Sequence, residues 1–113
     1  MALKPQEKKV IDAFVDGNPE PKPNKTSYEI FDVSLEINGE PVTGTELRGP
    51  MNSVLAHRTP SGVVIWAGTG GTTYQESVFR YLKKTVPFRR FYGYPGVSNY
   101  DELPGHAARP VRK

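Results

Sequence analysis

A loop of glycines and threonines is the part of the sequence best suited to binding chemistry. An apolar run at 63–67 leads into the loop at 68–73, and a helix pattern continues from there to Thr85. Glycines let backbone amides approach a ligand closely. The unpaired amides of a helix's first turn, together with the helix dipole, attract negative charge. This pattern predicts an anion site whose ligand-binding residues are Gly70, Gly71, Thr72 and Thr73.

The loop matches neither of two common phosphate-binding motifs. A Walker A loop would carry a Lys followed by Ser or Thr after its last glycine, and the dinucleotide fingerprint would carry a third glycine where Thr73 stands. A tight strand-to-helix turn also explains these residues. In that interpretation Thr73 is the helix N-cap and Glu76 completes a capping box. A ligand site and a simple turn therefore both stay open on the sequence.

A basic, aromatic stretch at 88–94 follows the predicted helix. Guanidinium groups bind phosphates in a bidentate geometry, and aromatic faces stack on nucleic-acid bases. The structural alternative is that the rings pack in a core or an interface while the arginines point outward. For the predicted site, the charge-neutralising and stacking residues are Arg89, Arg90, Phe91 and Tyr92.

The loop and the basic stretch lie at opposite ends of the same predicted helix. About twelve residues at 1.5 Å each separate them by roughly 18 Å. One small ligand cannot contact both within one subunit unless the chain folds back. Two copies packed antiparallel would bring the loop of one to Arg89 and Arg90 of the other. We therefore expect the site at the interface of a homo-oligomer, a dimer or a larger assembly.

Charge is divided unevenly along the chain. The formal net charge is +3, but residues 1–46 hold nine acids and five bases, while residues 47–113 hold ten bases and three acids. Such asymmetry favours an anionic partner for the second half, a nucleic acid or the acidic half of a neighbouring subunit. The structural alternative is a solvated helix face followed by a basic tail.

Few residues could catalyse a reaction. His57 falls in a predicted strand, where a histidine is more often packed or hydrogen-bonded than a general base, and His106 lies in a predicted tail without a carboxylate pattern around it. The chain has no cysteine, and no His, Asp and Glu group has the spacing of metal ligands. We therefore expect no catalytic residue, no metal and no cofactor.

The helices and strands predicted along the chain, which must position the site, indicate an α+β fold. A helix at 4–16 ends at Gly17, and the three prolines of the following linker predict an extended segment, so the first helix is expected to pack remotely or against another chain. The predicted organisation is an N-terminal helix at 1–17, a proline-rich linker at 18–26, an α+β core at 27–94 and a flexible basic tail at 95–113.

The core is predicted to contain a four-stranded, mainly antiparallel sheet. Alternating residues up to Ile37 and the Asn38-Gly39 turn predict a hairpin that returns over 40–48, and further strands are expected at 51–58 and, centrally, at 63–67. The long helix packs on one face of this sheet, and an irregular tail follows. On that helix Glu76 and Arg80 are spaced for an ion pair. Its buried stripe is expected to contain Tyr74, Val78, Tyr81, Leu82 and Thr85.

These patterns together predict a small, non-enzymatic protein that senses or sequesters a phosphorylated small molecule, such as a nucleotide or a nucleotide-derived signal. The alternatives are a nucleic-acid-binding protein that uses the basic second half, a structural or adaptor protein for an acidic protein partner, and a small hydrolase or transferase that depends on His57. The absence of cysteine, of a long apolar segment and of a signal-peptide core predicts a cytoplasmic protein with no membrane contact.

Overall fold

The computed structural model describes residues 3–37, 40–68, 72–87, 90–92 and 108–111. It contains two helices, α1 (Pro5–Asp16) and α2 (Thr73–Thr85), and a short 3₁₀ turn at Pro50–Asn52. Six strands accompany them: β1 (Glu29–Ile37), β2 (Glu40–Arg48), β3 (Val54–Arg58), β4 (Val64–Trp66), β5 (Phe91–Tyr92) and β6 (Ala108–Val111). The predicted α+β class is confirmed.

The strands form one sheet in the order β5-β4-β3-β2-β1-β6. The four predicted strands are its centre and are antiparallel in chain order. β1 and β2 stay in register from Glu29 with Arg48 to Ile37 with Glu40, and the predicted turn residues Asn38 and Gly39 lie outside the described residues. Two short strands extend the sheet beyond the prediction. β5 runs parallel to β4, and β6, which falls within the predicted tail, runs antiparallel to β1.

Helix α1 packs into the core of its own chain. Pro5 begins it, and Gly17 ends it in the left-handed conformation with φ of 74°. Its buried residues Val10, Ile11 and Phe14 join the same core as the sheet and α2. The expectation that α1 packs remotely or against another chain was therefore wrong. Burial of this apolar stripe is favourable, and the linker turns back instead of extending.

The proline-rich linker is held against the start of β1. The Glu20 carboxylate accepts a hydrogen bond of 2.9 Å from the amide of Ile30. The Asn24 side-chain amide donates to the Tyr28 carbonyl at 2.7 Å, and the Asn24 oxygen accepts from the Thr26 hydroxyl. These bonds reverse the direction of the chain, so α1 can lie on the sheet.

Helix α2 has the predicted bounds but a different cap. The Thr72 side chain, on extended backbone, accepts from the Gln75 amide at 3.4 Å, so Thr72 is the N-cap and Thr73 is the first helical residue. The predicted cap at Thr73, with Glu76 completing a capping box, was therefore wrong, and the N-cap lies one residue earlier. The predicted ion pair between Glu76 and Arg80 is present on the exposed face.

The buried face of α2 is also rotated from the prediction. Its buried residues are Gln75, Val78, Phe79 and Leu82. The Phe79 ring meets Trp66 on β4, with centroids 5.2 Å apart, because β4 and β5 lie on its side of the helix. The predicted members Tyr74 and Tyr81 are half-buried at the edges of this face, and Thr85 is exposed.

The two faces of the sheet have different chemistry. Leu47, Ala56 and Trp66 are cross-strand neighbours on the face that packs against α1 and α2. Glu46, His57 and Ile65 form the adjacent cross-strand row and therefore point to the other face, where all three are buried. Neither of the described helices is long and apolar enough to cross a membrane.

Candidate functional site

A parallel β4–α2–β5 unit positions the predicted site residues. β4 ends at Trp66, α2 begins at Thr73, and β5 returns beside β4 with Val64 opposite Phe91. The N-terminus of α2 therefore lies at the carboxyl end of β4. In open sheets with parallel strands, ligands bind at this edge. Arg90 precedes β5 and so lies at the opposite edge.

The structure places some of the predicted ligand-binding residues and leaves others undescribed. Gly70, Gly71 and Arg89 lie outside the described residues, and Tyr92 is placed by its backbone alone. Thr72 and Thr73 lie together at the start of α2 with exposed side chains. Arg90 is exposed at the start of β5, and Phe91 packs against Phe79 with ring centroids 5.4 Å apart. The described threonines and Arg90 are thus at opposite ends of α2, as the sequence predicts.

A groove of about 460 Å³ lies between α1 and α2 and begins at Thr73. Its volume falls within the range of small-molecule sites, about 300–1,000 Å³. Among the predicted site residues that the structure describes, only Thr73 contributes to it. The residues that line the groove are Leu3, Lys8, Thr73, Glu76, Ser77, Arg80, Tyr81 and Lys84.

The groove carries an excess of positive charge. Among the described residues of the lining, Lys8, Arg80 and Lys84 supply three cations, and Glu76 supplies the single carboxylate, which pairs with Arg80. The Thr73 hydroxyl lies in the first turn of α2, where the helix dipole is positive. A ligand with two negative charges would balance the lining.

Tyr81 lines the groove and links the two helices through its hydroxyl group. Its hydroxyl donates a hydrogen bond of 2.7 Å to the Asp12 carboxylate of α1, and the Lys8 ammonium lies 5.7 Å from its ring centroid. Burial raises the pKa of Tyr81 to about 12, and the hydrogen bond and the charge of Asp12 act in the same direction. The phenol is therefore neutral at physiological pH.

Gly68 has a structural role at the end of β4. A Cβ placed on it would lie 2.5 Å from Trp66 Cζ2 and 3.1 Å from Gln75 Oε1, so a side chain there would collide with the buried indole. The Trp66 Nε1 proton is buried, and no acceptor for it lies among the described residues. The close approach of backbone to indole accounts for this glycine without a ligand.

His57 is buried within the sheet. Its Nδ1 lies 3.6 Å from Glu46 Oε1, and the other Glu46 oxygen accepts from Arg48 Nε. Both His57 and Glu46 have almost no accessible surface, and neither is among the residues that line the groove between α1 and α2. Within the described part of the chain, no three His, Asp or Glu residues are close enough together to hold a metal ion.

No protein-family model, no curated protein and no solved structure matches this chain. The functional conclusion therefore depends on the groove's own geometry and charge.

The sequence did not reveal most of the groove. Arg80 and Lys84 were visible as cations on a predicted helix, but nothing in the pattern placed Lys8 of α1 beside them. Two features of the sequence could have indicated that Lys8 lies near α2. The apolar stripe of α1 requires a surface to pack against, and one side of α2 had no predicted partner element.

Proposed function

We propose that the protein binds a phosphorylated small molecule, a nucleotide or a nucleotide-derived signal, in the groove between α1 and α2. One observation carries the proposal: three cations and one carboxylate line a concave surface at the first turn of a helix. The predicted mode of action is sensing or sequestration of the ligand without its chemical conversion.

Each part of such a ligand has a complementary surface in the groove. Arg80 can exchange its bond with Glu76 for a bidentate bond to a phosphate, while Lys8 and Lys84 add charge. The edge of the Tyr81 ring and the Leu3 side chain offer apolar contact to a base or another carbon group. In this proposal the loop residues Gly70, Gly71 and Thr72 extend the phosphate site beyond Thr73, and the protein acts in the cytoplasm.

The homo-oligomer is part of the proposal. Thr73 and Arg90 lie at opposite ends of α2, so both can contact one small ligand only if a second copy supplies one of them. An antiparallel pair of subunits would do so, and it would also bring Arg89 and Tyr92 of the second copy to the groove. Native mass spectrometry of the full chain, with and without nucleotides, measures this state directly. A monomer in the ligand-bound state would remove the oligomer from the proposal.

The proposal is tested by calorimetric titration with a panel of nucleoside mono-, di- and triphosphates and cyclic dinucleotides. Arg80→Gln and Lys84→Gln should each weaken binding about tenfold or more, since a hydrogen bond to a charged group contributes roughly 1.5–3 kcal/mol. The matched control is Lys83→Gln, which removes a charge from the same turn outside the groove lining. Equal weakening by all three substitutions, or no binding by any panel member, would contradict the groove as a nucleotide site.

Nucleic-acid binding is the second candidate, favoured by a further basic groove of about 340 Å³ on the other side of α1. Lys9 of α1 and Lys22 and Lys25 of the linker line it, and no acid is among the described residues of its lining. Cations on both flanks of one helix could follow an extended phosphate backbone.

Salt dependence distinguishes the two candidates. Neutralisation of several backbone phosphates releases counterions, so nucleic-acid affinity would fall steeply as salt rises. A single nucleotide in the α1–α2 groove predicts a shallower slope and selectivity among bases. If neither nucleotides nor nucleic acids raise the melting temperature, an adaptor function with an acidic protein partner becomes the better explanation.

A further inference from the structure

Two guanidinium groups converge on the turn between β3 and β4. A Cβ placed on Gly62 would lie 3.5 Å from Arg58 Nη2 and 3.5 Å from Arg90 Nη1, so the two nitrogens are no farther apart than twice that distance. Gly62 has a φ of 92°, in the left-handed region that suits glycine, and its amide donates to the Thr59 carbonyl at 3.0 Å. This tight turn keeps side-chain bulk out of the space between the arginines.

Arg58 has a structural role that uses two of its three nitrogens. Its Nε donates to the Val15 carbonyl in the last turn of α1 at 2.8 Å, and its Nη1 donates to the Thr59 carbonyl at 3.2 Å. Its Nη2 lies between two glycines, 3.0 Å from a Cβ placed on Gly17 and 3.5 Å from one placed on Gly62, and it donates to no acceptor among the described residues.

The carbonyl groups at the C-terminal end of α1 are hydrogen-bonded without a contribution from Arg90. The Ala13 and Phe14 carbonyls accept from the amides of Asn18 and Gly17, and the Val15 carbonyl accepts from Arg58. The backbone amide of Arg90 donates to the Pro87 carbonyl at 2.8 Å, which fixes Arg90 immediately before β5. Across residues 3–37, 40–68, 72–87 and 90–92, no carboxylate lies within 4.0 Å of either arginine's guanidinium group.

We infer that Arg58 and Arg90 bind a tetrahedral oxyanion of the phosphate class at the Gly62 turn. Two like charges held close together repel each other, and an anion between them converts this repulsion into attraction. An oxygen that accepts from both groups at about 2.8 Å each bridges nitrogens up to about twice that distance apart, and two oxygens of one phosphate reach farther.

The Ser61 hydroxyl lies in the same turn and supplies a further polar group. It is hydrogen-bonded to the Thr59 hydroxyl at 2.9 Å, and Ser61 itself is exposed to solvent. The site is separate from the α1–α2 groove. None of Arg58, Gly62 and Arg90 is among the described residues that line that groove. Arg90 is also the residue that the proposed oligomer would bring to the groove of a second copy, but the inference needs only Arg58 and Arg90 of one subunit and so does not depend on the proposed function.

The test is an NMR titration of the isotope-labelled full chain with inorganic phosphate at constant ionic strength. The amide and arginine Nε–H resonances are monitored at each phosphate concentration. Gly62, Ser61 and Arg90 should show saturable shifts. Sulfate should produce the same shifts, while acetate and chloride should not. Thr73 and Ser77 report the groove independently, so a failure of one site is distinguishable from a failure of the other.

Two substitutions and a control complete the test. Arg90→Gln should weaken phosphate binding about tenfold, since it removes a charged donor from an exposed position. Arg58→Lys keeps a hydrogen-bond donor for the Val15 carbonyl but loses the planar, bidentate guanidinium group. It should weaken phosphate binding while the protein stays folded. Lys83→Gln should leave binding unchanged. Shifts that do not saturate, that persist in Arg90→Gln, or that acetate reproduces would overturn the inference.

Discussion

Tyr81 on α2 donates a hydrogen bond of 2.7 Å to the Asp12 carboxylate on α1, and this bond joins the two helices that form the groove. It links residues far apart in the chain and requires the phenol proton. Loss of that proton would place a phenolate beside a carboxylate. Alignment of the two helices is therefore coupled to the protonation state of one tyrosine.

The first prediction concerns stability at alkaline pH. The pKa of Tyr81 is about 12 in the folded protein and 10.0 in the unfolded chain. Because the folded pKa is the higher one, the stabilisation is fully present below pH 10 and is lost as pH rises through 12. Urea denaturation across this interval should therefore show a falling free energy of unfolding.

Tyr81→Phe isolates this contribution. Burial also raises the pKa of Tyr28 to about 12, and that tyrosine remains in the variant. The variant should be less stable than the native protein below pH 10, and its free energy of unfolding should fall less between pH 10 and 12. An identical alkaline loss in both proteins would show that Tyr81 does not titrate with folding.

The bounds of the helices could be predicted because local chemistry determines them. Pro5 and Gly17 mark the ends of α1, and the prediction for α2 was correct at both Thr73 and Thr85. The cap was misplaced by one residue because Thr72 and Thr73 are chemically equal as caps, and only backbone geometry selects between them.

Long-range placement could not be predicted. The docking of α1 depends on hydrogen bonds made by Glu20 and Asn24 of the linker. The prolines of the same linker favour an extended segment, so the sequence did not indicate these bonds. For the same reason the groove was missed, since Lys8 approaches Arg80 and Lys84 only after α1 has docked. Thr73 was correctly placed at the start of α2 because the start of a helix can be recognised from the local sequence. The strand β6 could not be recognised, since glycines and prolines recur in the sequence before it and Pro110 lies within it.

The second prediction tests the docking of α1. Phe14 is fully buried among residues of the sheet and α2. Phe14→Ala should lower the free energy of unfolding by about 3–5 kcal/mol, through lost burial and the cavity left behind. The control Lys9→Ala, on the exposed side of the same helix, should change it by no more than about 0.5 kcal/mol. Chemical denaturation followed by circular dichroism measures both, and similar small effects would place α1 outside the cooperative core.

The third prediction separates the two threonines at the start of α2. Thr72 accepts the Gln75 amide, so Thr72→Ala should cost about 1 kcal/mol of stability. Thr73→Ala should cost less than about 0.5 kcal/mol, since its side chain is exposed and has no role in the cap. Thermal denaturation of the pair decides the assignment, and a larger loss for Thr73→Ala would restore the capping box predicted from the sequence.

The fourth prediction concerns the contact between Gly68 and Trp66. Gly68→Ala would place a methyl group 2.5 Å from Trp66 Cζ2 and 2.9 Å from its Cε2, so the buried indole must move. We expect a loss of about 1–3 kcal/mol, the usual cost of overpacking. A shift in tryptophan fluorescence should accompany it, because Trp66 is the only tryptophan in the sequence.

A double-mutant cycle with Trp66→Phe tests whether this contact is the cause. Phenylalanine lacks the part of the indole that Gly68 approaches, so Gly68→Ala should cost less in the Trp66→Phe background. The two substitutions should couple by about 0.5–3 kcal/mol, as residues in contact do. Additive effects would mean that the indole contact is not the cause of the loss. Gly68 does not have a positive φ, so backbone strain is not an alternative reason for glycine at this position.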